Sequence, residues 1–217
     1  MNTKRILFWS IFVLVLALIV WGLATAMKNP VSPATGVGTP APVTAADHTE
    51  GPADAKVTLI EYGDFECPAC AEFATMVEKL ATDEATGTLQ IVFRHFPLAQ
   101  HANAMIAAQA SEAAASQGKF WDMYKLIYAG QNDWANLSDA DIIRTLFLGY
   151  ADSLGLDPNK FVKDLTSATS TQIIQAEQAE GQAIGITYTP SFFVNGKLIT
   201  NPPTYEAFKA LIDAAAR

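Results

Sequence analysis

The chain has only two cysteines, Cys67 and Cys70, and they stand where a strand-like stretch gives way to a helix-like one. Before them runs Val57-Thr58-Leu59-Ile60-Glu61-Tyr62, rich in β-branched and aromatic residues. After them, Phe73, Val77 and Leu80 recur at helical spacing. A second strand-like run, Leu89 to Phe96, follows Gly87 and is stopped by Pro97. Strand, helix and strand in that order favour parallel pairing with a right-handed crossover, which restricts the fold to a layered α/β arrangement.

The position of the pair has chemical consequences. Free amides and the dipole of a helix start favour negative charge, so a thiolate on Cys67 is stabilised and its pKa falls below the ordinary value of about 8.5. Cys70, three residues on, can attack a mixed disulfide formed at Cys67. Pro68 suits a first helical turn, where its missing N–H costs no bond, and Ala69 adds neither charge nor donor between the sulfurs. The arrangement reads as a reversible dithiol and disulfide switch. Asp64 and Glu66 lie close by and oppose the thiolate by like charge.

Two blander readings stand beside it, an inert structural disulfide or chance pair and half of a zinc site. The zinc reading needs a second pair of ligands, and His48, His95 and His101 form no close pair in the sequence, so no metal is expected. His95, at a strand end, is a candidate to approach the sulfurs, although such a histidine is more often structural. Glu61, inside the first strand, has two readings. It lies beneath the pair and moves the proton of thiol exchange, or it is a solvated glutamate on an edge strand.

From His101 to about residue 183 the sequence reads as a helical block inserted between strands. Its first helix is rich in alanine and small enough to lie inside a helical cluster. The next, Phe120 to Tyr128, is aromatic, with core packing the default reading and a binding surface the alternative. Ser138-Asp139-Ala140-Asp141 has the form of a capping box, Asp157-Pro158 starts a further helix, and another runs from about Thr171 to Ala183. Strand character returns at Ser191 to Val194, and Asn195-Gly196 then signals a hairpin into Lys197 to Ile199, ahead of a last helix at about residues 204–215. The result is a mixed sheet of four strands or slightly more, with residues 43–49 too thin in apolar content to insist on another edge strand. Pro190 must sit at a strand start, because it cannot donate a ladder bond.

The amino end sets the expected location. Lys4 and Arg5 precede Ile6 to Ala26, which carries no charge, and about 20 apolar residues suffice to cross a bilayer. Residues 1–28 are therefore expected to be a cytoplasmic stub and a transmembrane signal-anchor, with the rest of the chain outside. Ala24-Thr25-Ala26 has the form of a cleavage site, and a secreted product is the alternative. Residues 29–46 hold Pro30, Pro33, Pro40 and Pro42 and are expected to be a linker that adds nothing to a core. Residues 47–217 suffice for one domain. All 22 acidic residues fall there but three of the 14 basic ones do not, which argues against nucleic acid or an anionic membrane surface as partner.

Taken together, the strand-Cys67-Pro68-Ala69-Cys70-helix start, the inserted helices and Thr189-Pro190-Ser191-Phe192-Phe193-Val194-Asn195-Gly196 resemble the DsbA-like branch of the thioredoxin-fold thiol oxidoreductases. The resemblance covers about residues 50–215, and the membrane-tethered bacterial members look nearest. It implies an α/β thioredoxin-like fold with a mixed central sheet and a helical insertion, preceded by one transmembrane helix. Cys67 would be the exposed nucleophile, Cys70 the buried resolving partner and Pro190 a cis-proline facing them. Thr189, with Pro68 and Ala69, would shape substrate contact, and Glu61 would match the acid beneath the disulfide.

The implied activity is that of a dithiol oxidase for exported proteins, monomeric, without cofactor, and reoxidised by a quinone-linked membrane partner of the DsbB or VKOR kind. Ala69 departs from the best-known oxidase of the family, which has histidine there; that leaves the redox potential open. A disulfide reductase or isomerase, a Cu(I)-binding module and a substrate-holding chaperone are the competing expectations.

Overall fold

The computed structural model describes residues 36–83 and 87–217. The expected membrane segment therefore lies outside the described residues. Among the described residues, no helix is long and apolar enough to cross a membrane.

Strands β1 (His48–Glu50), β2 (Val57–Gly63) and β3 (Leu89–His95) come first, with helix α1 (Pro68–Asp83) between β2 and β3. Six helices follow: α2 (Ala104–Ala115), α3 (Phe120–Ala129), α4 (Gln131–Trp134), α5 (Ala140–Ser153), α6 (Pro158–Leu165) and α7 (Ala168–Ala183). The chain closes with β4 (Ser191–Val194), β5 (Lys197–Leu198) and α8 (Tyr205–Ala215). The strands form one sheet in the order β1-β3-β2-β4-β5, with β2 and β3 parallel and the other neighbours antiparallel. This is the expected mixed sheet with an inserted helical block, and β1 supplies the edge strand that its sparse apolar content had made doubtful.

Period-two geometry divides the sheet between two cores. Leu59, Ile91, Phe192 and Val194 join Val77 and Leu80 of α1 and Phe208 and Ile212 of α8 on one face. Ile60, Tyr62, Val92 and Phe193 join Phe96 and Ile186 on the other. The helical block adds a third core, in which Ala107, Ala110, Ala113 and Ala114 of α2 are buried beside Phe120, Tyr124, Phe147 and Phe161. Small side chains let α2 come close to its neighbours, and the aromatic α3 is core, not surface. Asn195 (φ 48°) and Gly196 (φ 77°) both take the left-handed region that a two-residue hairpin between β4 and β5 requires.

Three local expectations need correction. The linker does not extend to residue 46, because residues from Val37 onward belong to the compact unit. The Gly38 amide donates to the Ile184 carbonyl, the Ala41 amide to Glu180, and Val37 and Val43 lie against the second core. A sequence full of proline and alanine still docks when its backbone groups find partners. The cap of α5 is Asp139 and not Ser138, since its carboxylate accepts from the Asp141 and Ile142 amides. Helix α7 starts earlier than expected, at Ala168, where Ser167 caps the Ser170 amide.

Candidate active site

Cys67 stands immediately before α1, and its carbonyl accepts the first helical bond, from the Ala71 amide at 3.2 Å. Cys67 is 7% exposed as a residue and so is buried, not the exposed nucleophile expected, while its neighbours Pro68 and Ala69 are exposed and Cys70 is fully buried. No disulfide joins the two cysteines in this structure.

The two sulfurs titrate in opposite directions. Cys67 is lowered to about 5, first by the hydrogen bond from the Cys70 thiol, against the cost of burial, and further by Thr189 and the free amides of Cys70 and Ala69. Cys70 is pushed well above the usual thiol range, first by burial, then by its bond to Cys67 and by the charge of Glu61. One turn of helix thus separates a ready anion from a thiol that resists ionisation. The low value at Cys67 is reached with alanine at position 69, without the neighbouring histidine of the best-known oxidase.

Glu61 is 1% exposed on the central strand β2, between Phe93 of β3 and Phe192 of β4. The edge-strand reading is therefore wrong, because β2 has a neighbour on each side. Burial raises Glu61 to about 8, opposed by a long hydrogen bond of 3.3 Å from the Tyr124 hydroxyl and helped by the charge of Cys67. Its other oxygen, Oε1, is buried without a hydrogen-bond partner among the described residues. Gly63, two residues on, has no room for a side chain, since an added Cβ would lie 2.3 Å from the Phe93 ring.

The pairing of Tyr62 with Ser191 brings the β4 entrance beside the cysteine loop. The Thr189-Pro190 bond there is cis. The Thr189 carbonyl lies 3.5 Å from the Cys67 sulfur and accepts from it when it is protonated, and the buried Thr189 hydroxyl has no hydrogen-bond partner among the described residues. Next to it, Tyr188 is exposed.

Sequence reasoning missed the support for the loop. Gln131, from α4 of the helical block, donates Nε2 to the carbonyls of Phe65 (2.7 Å) and Cys67 (3.1 Å). Tyr128 donates to the Asp64 carbonyl at 3.3 Å. Only the tertiary fold brings residues so distant in the chain to the cysteine loop. Asp64 and Glu66 act as braces here. Asp64 accepts from the Glu66 and Leu98 amides and pairs with His101 at 2.7 Å, and Glu66 accepts from the Asn103 amide.

His95 is not brought to the sulfurs. Its Nε2 lies 2.9 Å from Glu112 Oε1, and His48 Nε2 meets the same oxygen at 2.5 Å. The expectation that the histidines form no close pair fails because β1 pairs with β3, which sets His48 opposite Phe93, two residues from His95. Among the described residues, no group of three metal-ligating side chains includes either cysteine, so the zinc reading of Cys67 and Cys70 has no support.

Comparisons with known proteins agree with this geometry. A family model described as thioredoxin matches residues 44–214. The chain is 40% identical over 171 residues to the Na(+)/H(+) antiporter NhaA 1 of Salinispora arenicola, across 78% of this chain and 24% of that protein. The chain thus spans about a quarter of that relative's length. Among solved structures, oxidised BdbD of Bacillus subtilis aligns with a TM-score of 0.71 and 25% identity, covering 83% of this chain and 97% of that one. The alpha-DsbA1 of Wolbachia pipientis has the same fold, with a TM-score of 0.69 at 23% identity over 80% of this chain and 92% of that one.

Proposed function

Since the chain belongs to the thioredoxin family, as a thiol–disulfide oxidoreductase of the DsbA type, we propose that it works as a dithiol oxidase introducing disulfides into exported proteins. The observation that carries this direction is the split between the two sulfurs, with Cys67 lowered to about 5 and Cys70 raised. A thiolate that is stable in the reduced enzyme is a good leaving group, and stabilising the reduced form makes the disulfide more oxidising.

The reaction begins with Cys67 and Cys70 joined. A substrate thiolate attacks the Cys67 sulfur, the bond between Cys67 and Cys70 breaks, and Cys70 leaves as a thiolate in a buried site. Glu61, which keeps its proton up to about 8, supplies that proton to Cys70. A second substrate thiolate then attacks the substrate sulfur of the mixed disulfide. Cys67 departs as a thiolate and the substrate leaves with a disulfide. Two electrons have moved from substrate to enzyme. Pro68 and Ala69, exposed beside the nucleophile, form the surface against which the substrate lies, with the buried Thr189 and Pro190 lining it from beneath.

This reading extends to location and partners. Ile6 to Ala26 anchors the chain in the bacterial cytoplasmic membrane with the redox domain on the extracytoplasmic side, supported by Lys4 and Arg5 ahead of the apolar run. A quinone-linked membrane oxidase of the DsbB or VKOR kind restores the disulfide. The mass of the protein recovered from membranes distinguishes an anchored chain from one cleaved near Ala26. The direction itself is tested by equilibrating Cys67 and Cys70 with glutathione. A potential nearer about −120 mV than about −270 mV is expected, and one at the lower end would make the protein a reductase.

A further inference from the structure

We propose that His48, His95 and Glu112 form a binding site for a divalent transition metal of the zinc class, separate from the redox pair. Three elements contribute one ligand each: β1, β3 and α2. The ligand atoms all lie within 4.8 Å of one another, and both imidazole Nε2 atoms point at the same carboxylate oxygen.

The two rings are held in place by what they touch. His48 stacks flat on Phe120, with ring centroids 3.7 Å apart and planes 4° from parallel. His95 is fully enclosed and meets Phe93 and Phe120 edge to face. Rings fixed in this way present their nitrogens without a further loss of freedom on binding. The His48 side chain keeps 13% of its surface exposed, which leaves a narrow path for an ion to enter.

Charge and donor chemistry select the metal. Glu112 is buried, and Glu177 accepts the His95 backbone N–H at 2.6 Å, so two carboxylates stand beside two imidazoles in a nearly dry place. A dication neutralises the two carboxylates while leaving both imidazoles uncharged as ligands. Two nitrogens and a carboxylate oxygen suit zinc and its neighbours, whereas calcium and magnesium demand six or more oxygens. Metal bonds of about 2.0–2.2 Å place tetrahedral ligands roughly 3.3 Å apart, so the Glu112 carboxylate need withdraw by less than about 1 Å.

The test uses the untagged full chain in detergent, stripped with a chelator and with Cys67 and Cys70 oxidised so that no thiol can ligate. Titration with Zn2+ by calorimetry, and with Co2+ by visible absorption, is expected to give one saturable site. Two imidazole ring resonances shifted by Co2+ in the proton spectrum of the unmutated protein identify both histidines without relying on a variant. His48→Gln and Glu112→Gln, each checked for folding by near-ultraviolet circular dichroism, are expected to weaken binding at least about 10-fold, the loss incurred even by groups that only hydrogen-bond a ligand. No saturable uptake, Co2+ binding without shifted imidazole resonances, unchanged affinity in both folded variants, or tighter binding of Ca2+ than of Zn2+ would each overturn the proposal.

Discussion

Glu61 and Arg94 occupy adjacent central strands and opposite faces of the sheet. Both are buried, yet they are treated in opposite ways. Arg94 donates to Asp47 (2.8 Å), the Tyr62 hydroxyl (3.1 Å) and the Ala41 carbonyl (3.0 Å), with Glu180 at 3.6 Å. Asp47, despite its burial, is held below the usual carboxylate range by that guanidinium. Glu61 receives one long bond and, among the described residues, leaves an oxygen unpaired. A buried charge with every partner supplied is a clamp, here tying residues 41–47 to the sheet. A buried carboxyl left short of partners is free to gain or lose a proton, and it is the one on the face of the sulfurs.

Substitutions on each side put this contrast at risk. The largest expected effect is at the sulfurs, where Cys67→Ser should abolish exchange while Cys70→Ser traps a mixed disulfide with substrate on non-reducing gels. Near-normal oxidase rates in both would remove the redox role. Next, Arg94→Met leaves Asp47 and part of Glu180 uncompensated and should cost about 3–5 kcal/mol in denaturant unfolding, the range for breaking a buried pair. The same variant should leave the reduction potential near its original value, and a large change there would mean that the two faces are coupled.

Glu61→Gln should slow exchange about 100-fold, the low end for a positioned proton donor, measured as single-turnover reduction by a dithiol peptide, and flatten the rate profile around pH 8. Stability supplies a second readout with a definite sign. The folded chain holds the Glu61 proton up to about 8, whereas the unfolded chain releases it near 4.5. The fold therefore binds more protons between those values, and its stability falls as pH rises through that window before levelling off. In oxidised protein, Glu61→Gln should remove that decline. A decline of equal size in the variant would assign it to another group. The smallest effect is expected at Thr189→Val, which removes a hydroxyl beside Cys67 and keeps the backbone carbonyl that faces its sulfur. It should raise the thiolate pKa by less than about one unit, followed by thiolate absorbance, because one unit is about 1.4 kcal/mol and the Thr189 hydroxyl makes no short hydrogen bond among the described residues.

Much of this was legible beforehand, because it rests on local signals. Val57 to Tyr62, the run after Cys70 and the Asn195-Gly196 turn each carry their own periodicity or turn chemistry. The inserted block was readable from Asp157-Pro158 and the alanine-rich run of α2. Other features left no local trace. The role of residues 37–46 depends on carbonyls and carboxylates far along the chain, at Ile184 and Glu180. His95 looked like a neighbour of the sulfurs because it ends the strand beside β2, but a strand end has two faces and two edges, and Glu112 settles its contacts.

What the amino-acid order determined alone was the nucleophile. A cysteine just ahead of a helix meets free amides wherever that helix is later packed, so Cys67 could be read in one dimension. What only the tertiary structure decided was which polar groups lack partners. Glu61 acquires its raised affinity for a proton because α1 and α3 close over it, and His48 acquires its carboxylate because β1 aligns against β3. Solvation is lost only when distant segments come together, and no local pattern records which segments those will be.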